Sequence, residues 1–150
     1  MKTWSLVGLA VAVLGVVTGL FWVRAAPIDA VLLHISPMEA SDPGAAGIRI
    51  GPEEIASWAL APKQLFERAV GVISDEAGVS VLVIDEAELL ATFVVRTPIW
   101  GFPDVVNIQV FPGAEGATLA FHARALRAGY DWGVNRARTA QWIAAISAGS

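Results

Sequence analysis

The longest apolar stretch of the chain lies at its amino-terminal end. Residues 4–23 contain no charged side chain, and Lys2 and Arg24 flank them. A helix of about 20 residues is roughly 30 Å long, which matches the hydrocarbon core of a bilayer. Trp4 and Trp22 lie near the two ends of this run, where the amphipathic indole ring favours the membrane–water interface. The pattern predicts a single transmembrane anchor over residues 1–24.

A cleavable secretory signal is the alternative for the same segment, because a short basic start and small residues near the end of the run are typical of signals. An ordinary signal has an apolar stretch of only about 7 to 15 residues, so the length favours an uncleaved anchor. Basic groups are scarce on both sides: Lys2 and the free amino terminus precede the run, whereas only Arg24 follows it before Arg49 is reached. This slight bias predicts a bacterial inner-membrane protein whose carboxyl-terminal domain is periplasmic.

Four small residues recur along one side of the predicted anchor. Their spacing of i, i+4, i+7 and i+11 places them on a single stripe of a helix. This glycine stripe comprises Gly8, Ala12, Gly15 and Gly19. Gly15 and Gly19 form a GxxxG pair, which lets a second helix approach closely, although small residues are common in membrane helices whatever they contact. The stripe is a candidate contact for another copy of the chain or for a different membrane subunit.

Prolines interrupt the pattern after the anchor, over residues 25–61. Together with a turn signal at Asp42-Pro43-Gly44, they exclude a long helix in this range. We predict a proline-rich tether, with a short extended piece over residues 28–35 and one or two helical turns over residues 53–58. The folded domain is then predicted to occupy residues 62–150.

The pattern of the domain begins with apolar residues at helical spacing over residues 62–74, where Pro62 suits the first position of a helix. Four stretches rich in β-branched and apolar residues follow, separated by short turns. They span residues 79–84, 89–97, 105–111 and 117–126. A second helix is predicted over residues 133–147. This α-β-β-β-β-α order predicts an α+β domain, with a four-stranded antiparallel sheet and two main helices packed on one face.

Composition narrows the possible functions. The part after the anchor is about the size of one domain, and the net charge of −4 argues against nucleic acid as a partner. There is no cysteine, and the two histidines, His34 and His122, are far apart in sequence. Zinc motifs, glycine-rich phosphate loops and the G-x-S-x-G elbow are missing. We expect no metal, no cofactor and no catalytic residue, and a hydrolase with an unrecognised site is the weaker alternative.

Basic residues crowd the start of the predicted last helix. The group, called here the arginine corner, comprises Arg124, Arg127, Arg136 and Arg138, with Asp131 and Asn135 among them. Positive side chains in the opening turns of a helix oppose its dipole unless an anion or a carboxylate offsets them. Asp131 is predicted to cap the helix and to pair with an arginine, in a structural network. The alternative is that arginines and free N–H groups hold an external anion.

Residues 99–103 read Ile-Trp-Gly-Phe-Pro and connect two predicted strands. An apolar, aromatic loop of this kind is either part of the core or a surface patch that contacts lipid or a partner protein. Trp100 and Phe102 are the candidate contacts. The sequence alone leaves both interpretations open.

Residues 92–146 resemble a bacterial and plastid family known as domain of unknown function 1499. The resemblance rests on Asp104-Val105 at a strand start, and above all on Asp131-Trp132-Gly133-Val134-Asn135-Arg136 at the start of the last helix. Members often carry an amino-terminal membrane segment. The arginine- and serine-rich stretch that precedes the aspartate in the family corresponds here to residues 124–127, without serines, and a cysteine-containing segment is absent. The family has no established reaction, so the resemblance implies architecture and no activity.

These features predict a non-enzymatic, single-pass membrane protein that serves as an accessory or assembly subunit of a larger membrane complex. Its expected partners are the lipid bilayer and other membrane subunits, which it would contact through the anchor helix. The alternative is a periplasmic module that binds a small anion or a lipid headgroup.

Overall fold

The amino-terminal segment is a single long helix. The computed structural model describes residues 2–25, 27–98 and 100–149, so Met1 of the predicted anchor and Ile99 of the aromatic loop lie outside the described residues. Helix α1 spans Lys2–Ala25. Its segment Leu6–Arg24 has a mean hydropathy of 2.4, and none of it is buried within the protein. By length and composition, α1 is therefore able to cross a membrane.

The domain is built on an antiparallel sheet of five strands, in the order β1-β5-β4-β3-β2. The strands are β1 Gly47–Ile50, β2 Val79–Asp85, β3 Leu90–Arg96, β4 Pro103–Gly113 and β5 Gly116–Ala125. The predicted α+β class is confirmed, and the four predicted strands are present. The predicted count of four is wrong by one, because the short strand β1 pairs with β5 along Gly47↔Arg124 to Ile50↔Phe121.

Two helices cover one face of this sheet. They are α3 Pro62–Ser74 and α4 Val134–Ala148. Leu65 and Ile73 of α3 and Ile146 of α4 are fully buried against Phe93 and Phe121 of the sheet. Alternate residues of the strands point to this face, as expected for a sheet with one face packed under helices.

The opposite face of the sheet is covered by residues 27–46, called here the strap. The strap contains a single helical turn, α2 Ala30–Leu33, and a 3₁₀ turn, Gly44–Ala46. Leu33 packs on Val94 and Val105, which point away from α3 and α4. The prediction of a tether over residues 25–61 is thus corrected, because prolines prevent a long helix but do not prevent extended chain from packing on a sheet.

Two local predictions within the former tether also change. Residues 28–35, expected to be extended, contain the turn α2, because the Asp29 carboxylate caps it by accepting from the N–H groups of Val31 and Leu32. Residues 53–58 form irregular turns and no helix. Trp58, which lies in this range, is buried, and its backbone pairs with that of Ala117 at the start of β5.

Polar side chains fix the strap to the sheet. The Thr92 hydroxyl donates to Asn107 Oδ1 at 2.7 Å, so it accepts from His34 Nδ1, which lies 2.7 Å away. His122 Nε2 donates to the carbonyl oxygen of Ser41 at 3.1 Å. Burial lowers the pKa of His122 below its ordinary value, which favours the neutral form of its ring. The two histidines, which are far apart in sequence, therefore both hold the strap on the sheet.

Candidate functional site

The arginine corner is divided between two places in the fold. Arg138 of α4 is largely buried and reaches Asp104 at the start of β4, with Nη1 3.0 Å from Oδ2. The same Nη1 donates to Asn135 Oδ1 at 3.2 Å. Burial raises the pKa of Asp104, and the contact with Arg138 only partly offsets this. The ion pair that we predicted for Asp131 is thus made by Asp104, and Asp131 forms no salt bridge within the described part of the chain.

Asp131 caps α4 through both carboxylate oxygens. Oδ1 accepts from the N–H of Gly133 at 2.9 Å, and Oδ2 accepts from the N–H of Asn135 at 3.0 Å. Partial burial raises the pKa of Asp131, but these N–H donors outweigh it, and the pKa lies below its ordinary value. The turn places Trp132 at φ 58° and Gly133 at φ 77°. A non-glycine residue rarely adopts this left-handed conformation, and here it leaves the Trp132 side chain 85% exposed.

Replacement of Asp131 by alanine is expected to cost about 1 to 2 kcal/mol of unfolding free energy, because two N–H groups at the helix start lose their acceptor. Asp131→Asn retains a good capping oxygen and should cost clearly less. Thermal unfolding of the full chain in mild detergent, followed by circular dichroism, measures both. Equal losses from Ala and Asn would contradict a capping role.

The remaining cations of the corner do not converge on one point. Arg124 lies on β5, in register with Gly47 and Val105. Arg136 is exposed on α4 and has no hydrogen bond or ion pair in residues 2–25, 27–98 and 100–149. Arg127 is exposed after β5 and lies beside the anchor. This arrangement supports a structural role for Arg138, which pairs with Asp104. Arg127 does not take part in that ion pair and lies elsewhere, beside α1.

Hydrogen bonds to Thr97 and Arg96 hold Gly101 and Phe102 of the aromatic loop, which precedes β4. Thr97 Oγ1 accepts from the N–H of Phe102 at 3.0 Å, and the Thr97 carbonyl accepts from the N–H of Gly101 at 2.9 Å. Arg96 Nη1 donates to the Gly101 carbonyl at 3.1 Å. Trp100 is 49% exposed and Phe102 39%. Both side chains therefore lie at the surface, which decides against a core position for them.

The loop and the turn before α4 enclose a pocket of about 430 Å³. This volume lies within the range of roughly 300 to 1,000 Å³ that is usual for ligand sites. Its aromatic walls are Trp100, Phe102, Tyr130 and Trp132, called here the aromatic patch. Tyr130 and Trp132 contact each other edge to face, with centroids 5.0 Å apart. Most of the pocket wall is apolar, and its two carboxylates are engaged with Arg138 and with the start of α4.

The end of α1 lies against the same two loops. The Arg127 guanidinium is 5.5 Å from the centroid of the Trp22 ring, within the range of a cation–π contact. The Arg24 side chain lies against the backbone of Gly101, where a Cβ atom would overlap it. Gly101 also has φ 68°, a conformation that glycine adopts without strain, so both the backbone angle and the close approach of Arg24 favour glycine here. The aromatic pocket therefore lies beside the carboxyl-terminal end of the predicted anchor.

The glycine stripe has no contact with the domain. A Cβ atom added at Gly8, Gly15 or Gly19 would meet no atom within 4 Å. The neighbouring apolar side chains of α1, among them Val16, are exposed. The stripe is thus accessible on the surface of α1.

Sequence reasoning missed the role of Tyr130 and Trp132, and the contact of Arg24 and Trp22 with the domain. Aromatic residues on both sides of an Asp-containing turn were a usable signal, because segments that connect secondary-structure elements lie on the protein surface. The contacts of Trp22 and Arg24 with the domain have no such signal, since they depend on the folded position of two loops.

Among the described residues, no three side chains of the histidine, cysteine, aspartate or glutamate type form a group able to bind a metal ion.

No protein-family model matches the sequence, and no curated protein is significantly similar to it. The resemblance to the domain of unknown function 1499 family stays a prediction.

Proposed function

We propose that this protein is a non-enzymatic, single-pass membrane protein whose domain binds lipid at the membrane surface, with the aromatic pocket taking the apolar part of a lipid molecule. The observation that carries the proposal is the position of the pocket beside the end of α1. An apolar pocket at this place opens close to the level at which a membrane anchor leaves the bilayer.

The exposure of the aromatic patch supports the same function. Four large aromatic side chains gathered on the surface of a small domain are unusual unless they contact a partner or a membrane. Tryptophan and tyrosine favour the membrane–water interface, because one end of the ring system is apolar and the other is polar. Trp22 at the end of α1 would lie at the same depth, in the membrane–water interface. We place the domain on the periplasmic side of a bacterial inner membrane, as the distribution of basic residues predicts.

The strap is a further argument for the proposal, because it would keep the domain close to the bilayer. Only residues 26–29 separate the end of α1 from α2, and the strap is bound to the sheet from His34 to Ser41. A free tether of about 37 residues would let the domain move far from the membrane. A short connection keeps the pocket next to the lipid that would enter it.

Native mass spectrometry of the full chain, released from mild detergent, tests the proposal. We expect one retained phospholipid per chain. Ala128 lines the pocket, so Ala128→Phe should weaken the affinity for this lipid about tenfold, because a steric cost of about 1.4 kcal/mol has that effect, and the retained fraction should fall.

The matched control is Ala144→Phe, since Ala144 is exposed on α4 and lies about 15 Å along the helix from Val134. This variant should retain the lipid. Absence of lipid from the unchanged protein, or equal occupancy in both variants, would contradict binding in the pocket.

A second candidate function, an accessory or assembly subunit of a membrane complex, is favoured by the open glycine stripe. In this case Gly15→Leu should weaken association of α1 with a partner helix, because bulk at the contact forces the backbones apart. Val17→Leu is the control, because Val17 is exposed and lies on the opposite face of the helix. Co-purification in mild detergent, or a reporter of helix association in cells, measures the difference. Equal effects of the two changes would mean that the stripe is incidental.

A further inference from the structure

Three arginines lie near the two loops that form the pocket, and one of them, Arg127, lines it. Arg24 lies on the Gly101 backbone, Arg96 donates to the Gly101 carbonyl, and Arg127 lies over Trp22. Arg24 and Arg127 are exposed. They come from two distant parts of the sequence and meet at the loops that form the pocket. The positive charge is therefore concentrated where the pocket and the anchor adjoin.

In the described part of the chain, no carboxylate pairs with these arginines. None of these three guanidinium groups forms a salt bridge within residues 2–25, 27–98 and 100–149. The nearby acids already have partners: Asp104 pairs with Arg138, and Asp131 caps α4. Asp29, which shares a surface groove with Arg127, accepts from two N–H groups of α2. The arginines are thus available to an anion from outside the chain.

Arginine at this level of a membrane protein has a specific chemical preference. Its planar guanidinium matches the oxygen atoms of a phosphate and forms two parallel hydrogen bonds with it. At the end of a membrane-spanning helix, the side chain extends to the level of the lipid phosphates. The apolar pocket and the two exposed arginines together have the two-part chemistry of an anionic phospholipid.

We propose that the lipid bound here is anionic, with its phosphate-bearing headgroup held by Arg24 and Arg127 and an acyl chain in the aromatic pocket. This inference rests on the proposed lipid-binding function and adds the choice of headgroup. It concerns a lipid and not a free anion, because the arginines adjoin an apolar pocket and the anchor. Arg96 is occupied by the Gly101 carbonyl and positions the loop.

The test uses the full chain in phosphatidylcholine vesicles that contain a trace of spin-labelled lipid. Electron paramagnetic resonance measures the fraction of motionally restricted probe, for spin-labelled phosphatidylglycerol and for spin-labelled phosphatidylcholine. We expect phosphatidylglycerol to be preferred, with about fivefold of the preference lost on each of Arg24→Gln and Arg127→Gln, the usual contribution of one basic residue at an anionic surface. Arg136→Gln removes the same charge from an exposed site on α4 and should leave the preference unchanged.

Three results would overturn the proposal. The first is equal restriction of the two probes, and the second is a loss of preference in Arg136→Gln as large as that in Arg127→Gln. The third is competition by millimolar inorganic phosphate at constant ionic strength, which would show that the arginines hold a free anion. If phospholipid is still retained by the unchanged protein and lost from Ala128→Phe, the lipid-binding function stands while the headgroup choice fails. If no phospholipid is retained, the function itself fails.

Discussion

Arg138→Met is expected to destabilise the domain by about 3 to 5 kcal/mol, because it leaves the Asp104 carboxylate buried without its partner. Asp104 is 5% exposed, and the two side chains are joined at 3.0 Å. Asn135, which is fully buried, loses the donor to its side-chain oxygen in the same variant. Chemical unfolding of the full chain in mild detergent, followed by tryptophan fluorescence, measures the loss.

Three comparisons test whether the unpaired charge is the cause. The double variant with Asp104→Asn should be more stable than Arg138→Met alone, because it removes the buried charge. The pKa of Asp104 is already raised by burial, and loss of the guanidinium raises it further. The defect of Arg138→Met should therefore shrink as the pH is lowered, since protonation removes the charge. Arg136→Met, at an exposed site, should change stability by less than about 0.5 kcal/mol. A defect that does not depend on pH would point to lost packing instead.

Gly47→Ala is expected to displace β1 from the sheet, at a cost of about 3 kcal/mol. A Cβ atom at this position would overlap the backbone carbonyl of Ala123, and would lie 2.8 Å from the Cα atom of Arg124. Neither backbone atom is able to move without breaking the β1–β5 pairing. The loss would also expose Ile48, which packs in the main core.

Gly71→Ala is the matched control for this substitution. Gly71 is exposed in α3, and an added Cβ atom would meet nothing within 4 Å. Alanine is a better helix former than glycine, so this variant should gain about 0.5 to 1 kcal/mol. Unfolding of the two variants under the same conditions should thus give opposite signs. A Gly47→Ala protein as stable as the unchanged one would contradict β1 as part of the sheet.

Regular elements with a strong pattern were predictable from the sequence. The helix over residues 62–74 agrees with α3, because its apolar residues recur at helical spacing and Pro62 marks the start. The four predicted strands agree with β2 to β5 within two residues at each end. Strand β1 was missed because four residues carry too little pattern, and because its partner on β5 lies more than 70 residues further along the chain. The strap was missed for a similar reason, since the side chains that it contacts on the sheet, among them Thr92, Gln109 and His122, lie on strands distant in sequence.

The site was predictable in part. The capping role of Asp131 follows from its position before a helical pattern. The partner of Arg138 does not, because Asp104 is 34 residues away and becomes its neighbour only when α4 packs on the sheet. Trp100 and Phe102 were recognised as candidate contacts, but the sequence does not show that the turn with Tyr130 and Trp132 lies opposite them. A pocket formed by two loops depends on the sheet that brings those loops together.

The depth of position 128 in the membrane tests the central proposal most directly. The chain has no cysteine, so Ala128→Cys and Ala144→Cys each carry one spin label without further changes, and both positions are exposed. Power saturation compares collisions of each label with oxygen, which concentrates in lipid, and with a water-soluble nickel chelate. We expect the label at 128 to be accessible to oxygen and shielded from nickel in vesicles, and the label at 144 to show the reverse. Equal nickel accessibility at both positions would contradict a lipid-binding pocket at the membrane surface.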